Sequence, residues 1–135
     1  MAMTVGVAFS STPAGQAALR EAVREAVRRG TDLAVLVVVD TVEHAAAGPD
    51  VEAARDETAR RAAEVEGGEA VAWRVETAPT RGDVADVLVD LAVRVEADPL
   101  VIGARRRSPV GKLILGSAVR SVLMQAPMAV LVTKA

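Results

Sequence analysis

The sequence predicts a doubly wound α/β fold, a five-stranded parallel sheet with helices on both faces, and three observations carry that prediction. Short apolar strand patterns alternate along the chain with helical patterns of roughly ten to fifteen residues. The stretch Leu33 to Val39 (LAVLVVV) is apolar throughout instead of alternating, as a strand covered on both faces must be. No internal repeat, linker or low-complexity tract interrupts the 135 residues, a length that suits one domain spanning 1–135. Right-handed crossovers between parallel strands then put helices on both faces of the sheet, for which the expected strand order is 3-2-1-4-5.

Each element has a local reason. Thr4 to Ala8 (TVGVA) is a short apolar run rich in β-branched residues, the first strand, and Ser10-Ser11-Thr12-Pro13 is a turn cluster after it. Thr12 before Pro13 starts a helix, because the hydroxyl can accept from free amides and proline suits the first helical position. That helix runs to about Arg29: Ala18, Leu19, Ala22, Val23, Ala26 and Val27 recur at helical spacing, Glu25 and Arg29 are placed to pair, and Gly30 ends it. Leu33 to Val39 is the second strand. After a loop from Asp40 to Pro49, Val51 to about Val65 forms a second helix with Asp56/Arg60 and Glu57/Arg61 four apart, stopped by Gly67-Gly68.

Ala70 to Glu76 (AVAWRVE) reads as the third strand, its weaker apolar character fitting a sheet edge, with Val71, Trp73 and Thr77 on one side. Asp83 is the expected cap of a third helix carrying Val84, Val87, Leu88, Leu91, Ala92 and Val95 on its apolar face, and Asp86 sits in its first turn. Asp98-Pro99 closes that unit. Leu100 to Ile102 is the fourth strand, Ser117 to about Gln125 the fourth helix, and Met128 to Thr133 the fifth strand.

Composition narrows the chemistry. With Trp73 and Phe9 as the only Trp, Tyr or Phe residues, the core must be built from Ala, Val and Leu. There is no cysteine and a single histidine, which excludes disulfides and thiolate nucleophiles and leaves little for zinc. No apolar run approaches the roughly 20 residues of a membrane span, and the first residues lack the basic and apolar segments of a signal peptide. The expectation is a cytoplasmic protein with neither membrane nor nucleic acid as partner. The net charge of −2 hides an asymmetry: all 18 acids lie at or before Asp98, with ten cations among them, while the remainder carries six cations and no acid.

Three of those cations, Arg105, Arg106 and Arg107, follow the fourth strand in LVIGARRRSPVGKLILGS, residues 100–117. In doubly wound sheets ligands bind beyond the carboxyl ends of the strands, where the strand order reverses beside the first strand. With order 3-2-1-4-5 this loop ends there, which favours an anion site over a merely solvated basic loop. Two common phosphate motifs fail. A Walker loop counted back from Gly111-Lys112 would need glycine at Arg106 and a hydroxyl at Leu113, and a dinucleotide fingerprint would need more than Gly6 followed by Val7, Ala8 and Phe9.

What does fit is Gly103-x2-Arg106-x9-Gly116-Ser117. Here the sequence resembles the universal stress protein family, whose nucleotide-binding members carry G-x2-G-x9-G-[ST] after the fourth strand. The resemblance extends over the whole chain, through the Gly82-Asp83 helix start, the Val-Ile-Gly exit of the fourth strand, and Ala126-Pro127-Met128-Ala129-Val130-Leu131-Val132, similar to the family's APCPVLV ending. It implies a Rossmann-like fold and an adenine nucleotide, ATP or a relative, with Mg2+ only if the nucleotide is ATP. Phosphates would sit on the amides of Gly116, Ser117 and Ala118 at the positive end of a helix, and Gly103 would let the backbone leave its strand beside a ribose. Val38 matches the position that meets the adenine edge. The family's ribose-binding Asp is matched by Ala8, and a phosphate-side Gly by Arg106.

Both departures matter. A hydrogen bond to an ionised partner contributes about 1.5 to 3 kcal/mol, so Ala8 lowers ribose affinity about tenfold or more. Arg106 either fills the phosphate site or swings out to pair bidentately with a phosphate, and the sequence leaves both open. The candidate site is Ala8, Val38, Gly103, Arg105, Arg106, Gly116, Ser117 and Ala118, with Arg107 and Lys112 adding positive charge.

Other residues have blander roles. His44, near Asp40 and Glu43, is read as a surface histidine. Ser10, Ser11 and Thr12 are accounted for by turn and cap chemistry, and Ser117 by helix capping, with no base beside it to make it a phosphoryl acceptor. No catalytic constellation assembles, although slow ATP hydrolysis stays open. The last strand lies at a sheet edge that needs cover, and the family resemblance implies a homodimer with antiparallel pairing of Ala129 to Thr133. Two functions follow: a nucleotide-binding sensor or regulator in stress response, or a nucleotide-free homodimeric interaction protein with Arg106 in the phosphate site.

Overall fold

The computed structural model describes residues 3–39, 48–106 and 113–134. Its elements are β1 (Thr4–Ala8), α1 (Pro13–Arg29), β2 (Leu33–Val39), α2 (Pro49–Glu64), a 3-10 turn (Gly68–Ala70), β3 (Trp73–Pro79), α3 (Val84–Arg94), β4 (Ala97–Arg106), β5 (Leu113–Ile114), α4 (Ser117–Gln125) and β6 (Val130–Lys134). Five strands pair in parallel in the order β3-β2-β1-β4-β6. The two-residue β5 pairs antiparallel with the end of β4, and leaving it out of the count gives the expected order 3-2-1-4-5.

Alternation along the strands divides the interior into two layers. Val5, Val7, Leu33, Val35, Val37, Val39 and Val101 pack under α1 and α2 with Leu19, Ala22, Val23 and Ala54. Ala8, Ala34, Leu36, Leu100 and Ile102 pack under α3 and α4 with Leu88, Leu91, Val119 and Val122. β2 is buried nearly throughout, as its unbroken apolar run requires. With so few aromatics, the helices approach the sheet over alanines, Ala18, Ala22, Ala85 and Ala92 among them, each without exposed surface.

Strong local signals set β1, β2, α1 and α4 where the sequence puts them. Thr12 accepts from the Gly15 amide at 3.1 Å, Gly30 closes α1 at φ 65°, and Asp83 accepts from the Ala85 amide at 2.9 Å. Three extents differ, because pairing overrides local pattern. β3 begins three residues later than expected and continues to Pro79, since β2 offers partners from Leu33 through Val39. β4 extends well beyond Leu100 to Ile102, held by β1 on one side and β6 on the other. Asp98-Pro99 therefore lies inside a strand instead of closing a unit, and a shift in the β1 register between Thr4 and Gly6 accommodates it. The last strand starts at Val130, two residues after Met128.

Ion pairs coat the outer helices. Arg29 holds Glu25 at 2.8 Å as the spacing predicts, and Arg61 meets Glu57 at 3.4 Å. Arg60 is closer to Glu57, at 2.9 Å, than the four-residue spacing to Asp56 suggests: Glu57 lies three residues away on the same helical face.

Candidate functional site

The carboxyl ends of the central strands and the start of α4 meet over one apolar layer. Ala8 ends β1, opposite Leu36 of β2, and is 9% exposed. Val38 lies one residue from the end of β2, half-buried, opposite Ala78. Both side chains join the layer beneath α3 and α4, and so do Leu115 and Val119, which flank Gly116, Ser117 and Ala118. Those two apolar residues seat the start of α4 on the same core that carries Ala8 and Val38. Leu115 has no part in the sequence reading of the site, although an apolar residue immediately before the Gly-Ser pair was its signal.

Gly116 has extended backbone, φ −65° and ψ 164°, and forms the N-cap of α4 with no side chain accepting from the first-turn amides. Ser117 is the first helical residue, so the expectation that its hydroxyl caps the helix does not hold: from that position the side chain starts alongside the amides it would have to reach. Gly116, Ser117 and Ala118 are exposed, the first turn carries no acid, and a Cβ built on Gly116 meets no described residue within 4 Å. Among the described residues nothing covers the positive end of α4, and no described side chain accepts from its amides.

Gly103 is on β4, paired with Thr133 of β6. A Cβ there would collide with the carbonyl of Ala14 in the first turn of α1, so glycine is required by that close approach whatever else the position does. Arg105 and Arg106 continue the β4 backbone and pair with Ile114 and Leu113. The two alternatives for the Arg106 side chain, together with Arg107, Lys112, Asp40, Glu43 and His44, lie outside the described residues. Ser10 and Thr12 behave as turn residues: their hydroxyls are 2.7 Å apart and Thr12 caps α1.

Among the described residues, one electrostatic perturbation lies at the far end of the sheet from this crevice. Burial would raise the Asp32 carboxyl at the opposite end of the sheet. Hydrogen bonds from Thr4 at 2.8 Å and Arg74 at 2.6 Å outweigh it and hold that carboxyl below its usual value. Among the described residues no group of three or more His, Asp or Glu is placed to hold a metal ion, and no helix is long and apolar enough to cross a membrane.

Comparison with known proteins places this geometry in a family. The model of the universal stress protein family matches residues 1–134. A universal stress protein of Mycolicibacterium smegmatis is 35% identical over 134 residues, covering 95% of each chain. Among solved structures, a universal stress protein of Archaeoglobus fulgidus superposes with a TM-score of 0.72 at 27% identity, covering 98% of both chains. The Archaeoglobus fulgidus universal stress protein in complex with dAMP superposes at 0.69 and 21% identity, covering 97% of both. The chain belongs to the universal stress protein family.

Proposed function

We propose that this domain binds an adenine nucleotide in the crevice beyond β1, β2 and β4 and acts as a cytoplasmic sensor or regulator in stress response. The start of α4, uncapped and uncovered among the described residues, is the observation that carries this reading. Amides of Gly116, Ser117 and Ala118 take the phosphates, Val38 meets the adenine edge, Ala8 and Gly103 border the ribose, and Arg105 and Arg106 supply positive charge at the phosphate end. ATP is the leading nucleotide, with Mg2+ accompanying it. The dAMP complex of the Archaeoglobus fulgidus protein supports a nucleotide of this class.

Ala8 favours a second reading. It lies in an apolar cluster with Leu36 and Ile102 and offers no side-chain acceptor to ribose hydroxyls, which fits a nucleotide-free interaction protein with Arg106 occupying the phosphate site. In both readings the chain works as a homodimer through antiparallel pairing of Ala129 to Thr133. β6 is the sheet's edge, has no second strand partner among the described residues, and is preceded by Met124, 86% exposed on α4. Light scattering at micromolar concentration checks this: a monomeric mass removes the dimer.

Thermal melts with ATP, with AMP and without ligand separate the two readings. Nucleotide at 100 times its dissociation constant adds about 2.7 kcal/mol to stability, and Gly116→Val abolishes that gain. No shift at millimolar nucleotide leaves the interaction protein; an unchanged shift in Gly116→Val puts the nucleotide elsewhere.

A further inference from the structure

A cleft of about 640 Å3 lies between the outer side of α1 and the end of β6, within the size range of small-molecule sites. Pro13, Ala17 and Val132 give it apolar wall, and Arg20, Arg24 and Lys134 bring positive charge. Arg61 also lines it, and Glu21 is the one acid among the described lining residues.

These cations are held more loosely than the arginines beside them on α1 and the end of α2. Arg28, Arg29 and Arg61 each hold a carboxylate at 2.8 Å or less. Arg20 reaches Glu64 only at 3.5 Å and Arg24 reaches Glu21 only at 3.6 Å, each side chain about half exposed. Glu64 is already held by Arg61 at 2.8 Å, which leaves Arg20 with the longer share of a divided carboxylate. Arg24 donates no hydrogen bond among the described residues, and Lys134 has neither hydrogen bond nor ion pair there. Arg20 and Arg24 are also four residues apart on one helix, where like charges repel. Two loosely held, mutually repelling guanidiniums thus face, across a cleft, an ammonium with no partner among the described residues.

We propose that this cleft is a second ligand site, separate from the nucleotide crevice, that takes a polyvalent phosphate on Arg20, Arg24 and Lys134. Guanidiniums bind phosphate oxygens bidentately, and the ammonium adds a third, rotatable donor. A bound anion also relieves the repulsion between the two arginines. Pro13, Ala17 and Val132 give an uncharged part of the ligand a surface to lie on. The ligand class is therefore a small molecule with a diphosphate or two phosphate groups, or a short inorganic phosphate chain.

Isothermal titration of the full chain with inorganic tripolyphosphate, and separately with a sugar bisphosphate, tests the site at low and high salt. Saturable binding at one site per chain is expected, weakened about tenfold for each guanidinium removed in Arg20→Gln/Arg24→Gln. Gly116→Val leaves it unchanged, which separates this site from the nucleotide reading. Arg55→Gln/Arg60→Gln, which removes the same charge outside the cleft, also leaves it unchanged. Tighter binding of the sugar bisphosphate assigns the natural ligand to phosphorylated small molecules, and tighter tripolyphosphate to inorganic chains; either supports the site. Absence of saturable binding, equal weakening in both arginine pairs, or loss in Gly116→Val with the Arg20/Arg24 variant intact overturns it. All the substituted side chains are on the surface, and melting curves of the variants confirm that they fold.

Discussion

The starts of α1 and α4 contrast in how they treat the same electrostatic problem. Every helix start leaves amides without internal partners and a partial positive charge to be met. At α1 the chain meets them itself: Thr12 caps, Ser10 contacts Thr12, Pro13 removes one donor, and the turn closes so tightly that a Cβ on Gly15 would collide with Ser10. At α4 no described side chain caps, and the Cβ position of Gly116 meets no described residue. Thus α1 is anchored as structure, packed by Ala14 onto Gly103, whereas α4 presents its amides outward. Two glycines of a single sequence motif, Gly103 and Gly116, consequently have opposite physical reasons.

That opposition gives the largest expected effect. Gly103→Ala drives a methyl into the Ala14 carbonyl, a backbone group that cannot swing aside, and lowers stability by about 3 kcal/mol in urea unfolding. Gly116→Ala meets no described residue, at a backbone angle that any residue adopts, so it costs at most about 1 kcal/mol, the loss expected for alanine at an N-cap. A tolerated Gly103→Ala breaks the contrast, as does a Gly116→Ala variant that unfolds.

The caps give a smaller effect of the same kind. Thr12→Ala removes the acceptor of the Gly15 amide and costs about 1 kcal/mol. Ser117→Ala changes stability by less than about 0.5 kcal/mol, because its hydroxyl caps nothing. Equal losses at both positions would show that Ser117 has a structural duty after all.

The difference between α1 and α4 also explains what the sequence makes legible. Thr12-Pro13 and Gly30 act on their own neighbours, so α1 reads off the chain at both ends, and the unbroken LAVLVVV run places β2 the same way. The Gly116-Ser117 pair reads correctly as a helix start, but which residue caps depends on one backbone angle that composition does not encode. β3 and β4 misread in extent because their lengths are set by strands distant in sequence: β2 for the one, β1 and β6 for the other. The need for glycine at 103 is of that kind too, since the obstructing carbonyl belongs to Ala14. Arg20 and Arg24 look like ordinary helical surface, and only the fold brings them to one cleft with Lys134 and divides Glu64 between Arg20 and Arg61.

The smallest predicted effect lies at the opposite end of the sheet, where polar groups satisfy one another as they do at α1. Asp32 accepts from Thr4 at 2.8 Å, from Arg74 at 2.6 Å and from Thr31 at 3.3 Å, tying β1 to β3 across the start of β2. Burial opposes ionisation there, but the Thr4 and Arg74 hydrogen bonds prevail and depress the folded-state pKa. A depressed carboxyl stabilises the fold above its unfolded value of about 3.9, and that contribution is lost as pH falls through the lower folded value. The groups are more than a third exposed, so solvent screening limits the contribution to about 0.5 kcal/mol at neutral pH. Asp32→Asn is therefore less stable than the parent by about that amount at pH 7, and the gap closes only as pH falls below about 3.9 and through the lower folded-state value. A gap that stays constant through acid would mean that the shape of the side chain, not its charge, holds β1 and β3 together at this end.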